Sequence, residues 1–429
     1  MSCGAHGSGS LDTATDPRRA LPCPSRYGSA AGAGRFPSRS ALMPPARLSR
    51  RQAIALSAAV ALAPGTSLGQ AGAGKVAKIG LVQSTTGGSA ALYGTEQKQA
   101  IELAFDEIND ARTLGDITLR ALHADDGADR GQTVNIFQRL IRQDKVVAIL
   151  GPSLSNSAFA ADPLAEQAGI PVVASSNTAP NLTKIGNFIF RTSVPEDQVF
   201  PTVLAYAVKK HGVKRVALVY GLDDALTRGA HDVQRKAVQD LGLEPVGIES
   251  YQRGDVDFSA QLTKIKAQKP DAIILGALAE EAAAILRQAK QLGFDEKVVF
   301  VGCNANISAK LFELAGPAAN GILVGAAWFA GYDHPKSKAF VEAYRKRYGS
   351  TPDIYAAQGY DAAYLIAEAI RRADTVTDGR AVRDKLAGIQ DFEGVLGRFG
   401  WSAERDATVT PKVLIGDGQA KVFVAAPAV

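Results

Sequence analysis

The stretch Ser153-Leu154-Ser155-Asn156-Ser157 has the residue types of an anion grip. It follows an apolar run ending at Leu150 and opens a helical pattern, so it forms a strand-to-helix turn. The first N–H groups of a helix have no partner within it, and the helix dipole places positive potential there, which favours a carboxylate. The hydroxyls of Ser155 and Ser157 add donors; their other use is to cap the helix, and the two uses are compatible. Ser176-Asn177-Thr178 ends the next apolar run on the same sheet edge, where open α/β sheets place ligands. The alternative for Thr178 is a hydroxyl turn ahead of Pro180. Together these segments predict a site for a small carboxylate.

No catalytic centre emerges from the rest of the chain. The 5 histidines (His6, His123, His211, His231 and His334) are scattered, and none pairs at metal-ligand spacing. Thr86-Gly87-Gly88-Ser89 is glycine-rich but lacks the Gly-Lys-Ser/Thr of a phosphate loop, and the turn after the first strand lacks dinucleotide-binding glycine spacing. No Gly-x-Ser-x-Gly elbow precedes a helix in the body. Cys303 reads as a small packed residue, and Glu280-Glu281 as the favourable acidic first turn of a helix. The expectation is a binding protein that is not an enzyme and takes no metal and no cofactor.

The elements that must position the site alternate in kind. Short β-branched runs stand at 78–82, 117–122, 146–150, 171–174, 215–220, 272–275 and 298–301, with helical patterns between them. Gly169, Gly212, Gly242 and Gly293 close four of those helices, where a left-handed residue is least costly as glycine. Strand–helix alternation with nearly unbroken apolar strands predicts parallel sheets covered on both faces. One series ends near residues 190–195 and a second begins, so the fold class is α/β with two doubly wound lobes. Two late helices, 337–348 and 355–372, and late strands in 392–401 and 412–423 add to both. The expected division is 75–194 with 325–397 as the first lobe and 195–324 with 398–429 as the second. The chain then crosses between lobes more than once, which makes a hinge above a cleft.

The leader has a different character. Of 48 basic and 43 acidic residues, eight Arg and two Asp fall within residues 1–74, so the basic charge belongs to the leader and the body is close to neutral. Nothing in the body suggests a nucleic-acid surface. Residues 1–42 are rich in Gly, Ser, Ala, Pro and Arg without apolar periodicity and read as disordered or as lying before the true start at Met43. Residues 43–73 have the layout of a secretory signal: Arg47, Arg50 and Arg51, an apolar run from Ala53 to Ala63, and small residues allowing cleavage after Ala71 or Ala73. That run is about half of the roughly 20 residues a membrane-spanning helix needs. Ser49-Arg50-Arg51 resembles a twin-arginine export signal, with Ala53 where such a signal usually carries Phe; an ordinary secretory signal is the alternative. The body holds Cys303 alone, so it forms no internal disulfide.

A family resemblance runs through the body in consistent order. Ile79-Gly80-Leu81-Val82 with Leu92-Tyr93-Gly94, Asp125-Asp126, Ile149-Leu150-Gly151-Pro152, Gly169-Ile170-Pro171, Phe190-Arg191-Thr192, Gly359-Tyr360-Asp361-Ala362 and Phe392-Glu393-Gly394 together resemble the leucine/isoleucine/valine-binding proteins. The resemblance implies a type I periplasmic binding fold, the two-lobed Venus flytrap. It implies an exported periplasmic monomer that hands a small carboxylate or amino-acid ligand to the transmembrane permease of an ATP-driven importer, without spanning the membrane itself. A sensor presenting its ligand to a membrane receptor is the alternative. By the same resemblance Ser155 matches the serine that grips the ligand carboxylate, and Thr178 the threonine that meets both carboxylate and ammonium. Ser153, Asn156, Ser176 and Asn177 share their turns, and Tyr93 is placed at the cleft mouth unless it is an ordinary packed tyrosine. The second lobe departs from the pattern. Asn304 stands where an acidic residue usually balances the ammonium, and Ala277-Leu278-Ala279 where many members carry an aromatic residue. A tyrosine-glycine pair is replaced by Gly221-Leu222-Asp223-Asp224, whose acids read as solvated loop carboxylates, with supply of the missing charge by Asp223 or Asp224 as the alternative. A carboxylate lacking an amine, aromatic or aliphatic, therefore stands beside amino acids as a candidate, with Tyr220 and Trp328 as apolar walls unless either is simply core.

Overall fold

The computed structural model describes residues 74–88 and 90–429, which fall within one compact unit. The leader and signal segments expected over 1–73 lie outside the described residues.

The first lobe is built on a five-stranded parallel sheet: β1 (Lys75–Gln83), β2 (Ile117–Asp125), β3 (Ala148–Leu150), β4 (Val172–Ala174) and β5 (Ile189–Arg191), in the order β2-β1-β3-β4-β5. The central strands are fully buried because α1 (Ala90–Asp110), α2 (Arg130–Arg139) and α3 (Ser155–Ala168) link and cover them, which is why the sequence shows runs rather than alternation. The second lobe holds β6 (Val216–Gly221), β7 (Pro245–Tyr251), β8 (Ala272–Gly276), β9 (Val299–Gly302) and β10 (Leu323–Ala326) in parallel, joined by α4 (Glu196–His211), α5 (Ala225–Asp240), α6 (Ser259–Ala267), α7 (Ala279–Gln291) and α8 (Ala309–Ala315). The α/β expectation with two doubly wound lobes holds. Of the strands that the apolar runs did not show, β7 is the outermost and half exposed, so it never needed a continuous apolar run.

The chain then returns to the first lobe. After β10 come α9 (Pro335–Tyr348), α10 (Ile354–Ala373) and α11 (Gly379–Ala387); α10 packs along α1, and α11 along α10. A hairpin of β11 (Phe392–Gly394) and β12 (Gly397–Phe399) follows, and its turn is held by the buried Asp361 carboxylate, which accepts from Val395 N–H and Leu396 N–H at 2.8 and 3.0 Å. Finally β13 (Lys412–Asp417) and β14 (Val422–Ala425) add antiparallel strands beyond β10. The polypeptide thus passes between the sheets three times.

The last passage differs from the expected division, which put 398–429 in the second lobe. Residues 401–407 run beside β5 of the first: Arg191 N–H donates to Arg405 O at 3.3 Å, and Ala407 N–H to Arg191 O at 3.1 Å. The cause is electrostatic. Arg191 is 2% exposed and its guanidinium needs a buried counter-charge, which Asp406 supplies.

The four expected glycine caps all adopt left-handed backbone, with φ of 71° at Gly169, 67° at Gly212, 69° at Gly242 and 69° at Gly293. Gly151 is constrained further: its φ is 117°, and a Cβ there would lie 2.0 Å from Val82 O. That freedom lets the chain leave β3 sharply and present Ser153 and Ser155 at the sheet edge.

Candidate functional site

Between the lobes lies a cavity of about 310 Å³, walled on the first-lobe side by Tyr93, Ser153, Ser155 and Ser176 and on the second-lobe side by Asp224, Leu226, Leu278 and Ala305. Tyr355 closes it and is shared with an adjoining space of about 230 Å³ that reaches Thr178, Asn304 and Gln358. Among the described residues no Lys or Arg lines either space.

The hydroxyls divide into two kinds. Ser153 Oγ accepts from Ser84 N–H at 3.1 Å and donates to Gln97 Oε1 at 3.0 Å, and Ser176 Oγ donates to Ser153 O. These two hold the wall together. Ser155 Oγ and Thr178 Oγ1 are buried and have no partner among the described residues. Neither caps anything: the residue capping α3 is Leu154, with no side-chain cap bond. Buried hydroxyls are nearly always satisfied, so these two, one on each of the adjoining spaces, are the open hydrogen-bonding groups beside the N-terminus of α3. Ser157 is accounted for elsewhere, accepting from Thr133 Oγ1 at 3.1 Å.

The lobes are closed over this cavity by specific contacts. Asn156 makes a two-way amide bridge: its Nδ2 donates to Asp224 Oδ2 at 3.1 Å, and its Oδ1 accepts from Ala225 N–H at 3.0 Å. Tyr93 OH accepts from Ala279 N–H at 3.3 Å, and its ring meets Tyr355 edge-on at 4.9 Å. Tyr355 OH donates to Asn304 O at 3.0 Å. Burial pushes both phenols well above their ordinary range, so they act as neutral O–H groups.

Other expected residues are placed differently. Asn177 is buried, but its side chain does not line the cavity; its carbonyl is what counts, accepting from Arg191 Nη1 and Ser193 Oγ. Tyr220 is no cavity wall, because its ring stacks on His231 at 3.8 Å. Trp328, fully buried, donates to Ser337 Oγ and borders a separate cavity of about 490 Å³. Asp224 is 4% exposed and caps α5 through Leu226 N–H and Thr227 N–H. It is a cavity carboxylate, whereas Asp223 stays exposed in the loop as expected of both. Tyr355 and Gln358, one turn apart on α10, were missed. Gln358 Oε1 is another buried acceptor without a partner. Their signal was helical spacing after an Asp353 cap, which is indistinguishable from core spacing in sequence.

Asn304 has its own support. Its N–H donates to Glu196 Oε2 at 3.1 Å, and its Nδ2 to Val194 O at 2.9 Å. Burial pushes the Glu196 carboxyl up to about 7, against the pull of that N–H. The native state therefore holds a proton that the unfolded chain, at its ordinary 4.5, has released. The stability this contributes is present at low pH and is lost as pH rises from about 4.5 to about 7. A Glu196→Gln variant is expected to melt together with the parent near the lower limit and above it at pH 8; parallel melting curves at both ends would contradict this assignment.

Among the described residues no helix is long and apolar enough to cross a membrane. A family model described as "Periplasmic binding protein" matches residues 76–419. The chain is 28% identical to the leucine-, isoleucine-, valine-, threonine- and alanine-binding protein of Pseudomonas aeruginosa, over 77% of this chain and 86% of that one. Among solved structures it is similar to the branched-chain amino acid transporter substrate binding protein LivJ of Streptococcus pneumoniae in complex with isoleucine, with TM-score 0.75, 28% identity, and coverage of 82% and 100%. It is also similar to a solute binding protein of an ABC transporter from Rhodopseudomonas palustris BisB5 in complex with 3,4-dihydroxy benzoic acid, with TM-score 0.73, 27% identity, and coverage of 82% and 95%.

Proposed function

Because the chain belongs to the periplasmic binding protein family, we propose that it is the exported solute-binding component of an ATP-driven importer, trapping a small carboxylate-bearing molecule between its lobes and delivering it to the permease. The observation that carries this reading is the pair of unpartnered buried hydroxyls, Ser155 Oγ and Thr178 Oγ1, facing the interlobe space. A carboxylate placed between them also meets the N-terminus of α3, so a charge enclosed without any cation is met by dipoles that are already oriented. Closure then completes the site through Asn156, Tyr355 and Asn304. The ligand drives closure by as much as it prefers the closed form. Relatives binding branched-chain amino acids and an aromatic acid both fit a carboxylate as the shared feature.

Calorimetry with leucine, isoleucine, valine, benzoate and 3,4-dihydroxybenzoate tests the reading. Ser155→Ala and Thr178→Ala are each expected to weaken binding of whichever acids bind by about tenfold or more, the worth of a hydrogen bond to a charged group. Undiminished affinity in both variants would remove the site from consideration.

A further inference from the structure

The cavity of about 490 Å³ that Trp328 borders has walls from three parts of the chain. The second lobe supplies α8 and the start of β14, the second passage between the lobes supplies residues 328–330, and the first lobe supplies residues 351–354, which lead into α10. Ile354 separates it from the space that reaches Thr178, since it borders both. We propose that this cavity is an accessory site for a small neutral aromatic molecule bearing one hydroxyl, a phenol, and that its occupant favours the closed arrangement of the lobes.

The lining sets the chemical class. Phe312, Trp328, Phe329, Pro352 and Phe423 form much of the wall. Phe312 and Phe423 meet at a tilt with ring centroids 4.8 Å apart, so the space is bounded by ring faces and edges, which suit another ring. Most of its polar groups already have partners. Ser308 Oγ accepts from Lys310 N–H at 3.1 Å, Thr351 Oγ1 accepts from Arg345 Nε at 3.1 Å, and Trp328 Nε1 donates to Ser337 Oγ at 2.7 Å. Asp353, half-buried, differs. Its Oδ1 caps α10, accepting from Tyr355 N–H and Ala356 N–H at 2.8 and 3.0 Å, while its Oδ2 accepts from no group among the described residues. One open carboxyl oxygen on an aromatic wall selects a ligand with an apolar body and a single polar group.

Charge narrows the choice. Burial, and then the neighbouring Glu96, push the Asp353 carboxyl well above its ordinary range, so an anionic ligand would join two acidic groups that already repel. Lys421 is the cation on the lining, but it is exposed and its solvated ammonium offsets little of this. A hydroxyl suits Asp353 in either state, because it donates to the carboxylate and accepts from the protonated acid. The link to closure follows from position. A molecule touching both lobes and the passage between them fits best at one lobe angle, the closed one, and therefore stabilises it. Ile354 and Tyr355, which follow Asp353 on α10, border the solute spaces directly.

Calorimetry on the purified protein with p-cresol, toluene and p-toluate, three rings alike but for one substituent, tests the site. The affinity counted is the part removed by filling the cavity, through Ala330→Leu or through Ala309→Leu at an exposed position of α8, so that capture in the cleft is not read. p-Cresol is expected to bind about tenfold tighter or better than toluene, as for a hydrogen bond to a carboxyl group, and tighter than p-toluate. Asp353→Ser keeps a cap for α10 but loses the open oxygen. It is expected to bring p-cresol and toluene within roughly threefold while melting shows it folded. Gly229→Leu, whose side chain would strike Pro180 of the facing lobe, is expected to weaken p-cresol about fivefold or more. No p-cresol binding sensitive to filling, equal binding of toluene, preference for p-toluate, or a ratio that survives Asp353→Ser overturns the phenol site. An unchanged p-cresol affinity in Gly229→Leu overturns its link to closure.

Discussion

Replacing Gly229 by leucine is expected to weaken ligand binding about 100-fold while both lobes remain folded. Gly229 lies on α5 of the second lobe, and a Cβ built there would stand 2.3 Å from Pro180 Cδ in the first. Pro180 has little room to yield: it follows Ala179, whose carbonyl is gripped by Arg191 Nη1 at 2.8 Å. Two rigid bodies that collide across a cleft separate by rotating about the hinge. A bulky residue at 229 therefore penalises the closed form and leaves the open one untouched. Affinity falls by the factor through which closure is disfavoured, and a penalty of about 3 kcal/mol gives about two orders of magnitude. Leucine is a better helix former than glycine, so the melting temperature of the unliganded protein should hold or rise. Small-angle scattering would show an expanded particle that no longer contracts on adding ligand. Unchanged affinity with normal contraction would mean that this contact does not limit closure.

Asp406→Ala is expected to cost about 3–5 kcal/mol of stability, because it leaves the Arg191 guanidinium buried without its counter-charge. The pair is 215 residues apart in sequence and joins β5 to the returning segment 401–407. Arg191 also donates to Asn177 O and Ala179 O, so it holds the turn that aims Thr178 into the cavity. Loss of Asp406 should weaken ligand binding as well as lower the denaturation midpoint. The double variant Asp406→Ala with Arg191→Leu removes the orphaned charge and is expected to recover part of the stability but little of the binding. A single variant within about 1 kcal/mol of the parent would show the pair to be dispensable.

Much of this arrangement was legible in the residues. The Ser155 turn and the Thr178 turn were readable because strand ends followed by small hydroxyl residues have few other uses at a sheet edge. Asn156 was readable as part of the site, although its role as the bridge to Asp224 was not. Asp224 was left between a solvated loop acid and a charge for the site. In sequence it is one of two adjacent acids in a loop, and only the packing of α5 against the first lobe makes one of them buried and the other exposed. Tyr220 failed for the opposite reason: its place at a strand end suggested a cleft wall, but His231, 11 residues on, offered a stacking face first.

The sequence alone determined the local elements, their alternation and hence two parallel-sheet lobes, because apolar runs, glycine caps and strand–helix spacing are properties of neighbouring residues. It also placed at one sheet edge the two hydroxyl turns that we propose as a carboxylate grip. The tertiary structure decided what faces that grip. Tyr355 and Gln358 come from a helix some two hundred residues downstream, Asp224 and Leu278 come from the other lobe, and segment 401–407 joins the first lobe through backbone hydrogen bonds to β5 and the buried Arg191–Asp406 pair. Such choices depend on which groups are left unsatisfied when two lobes meet, and that is a property of the assembled surface, which no stretch of chain carries by itself.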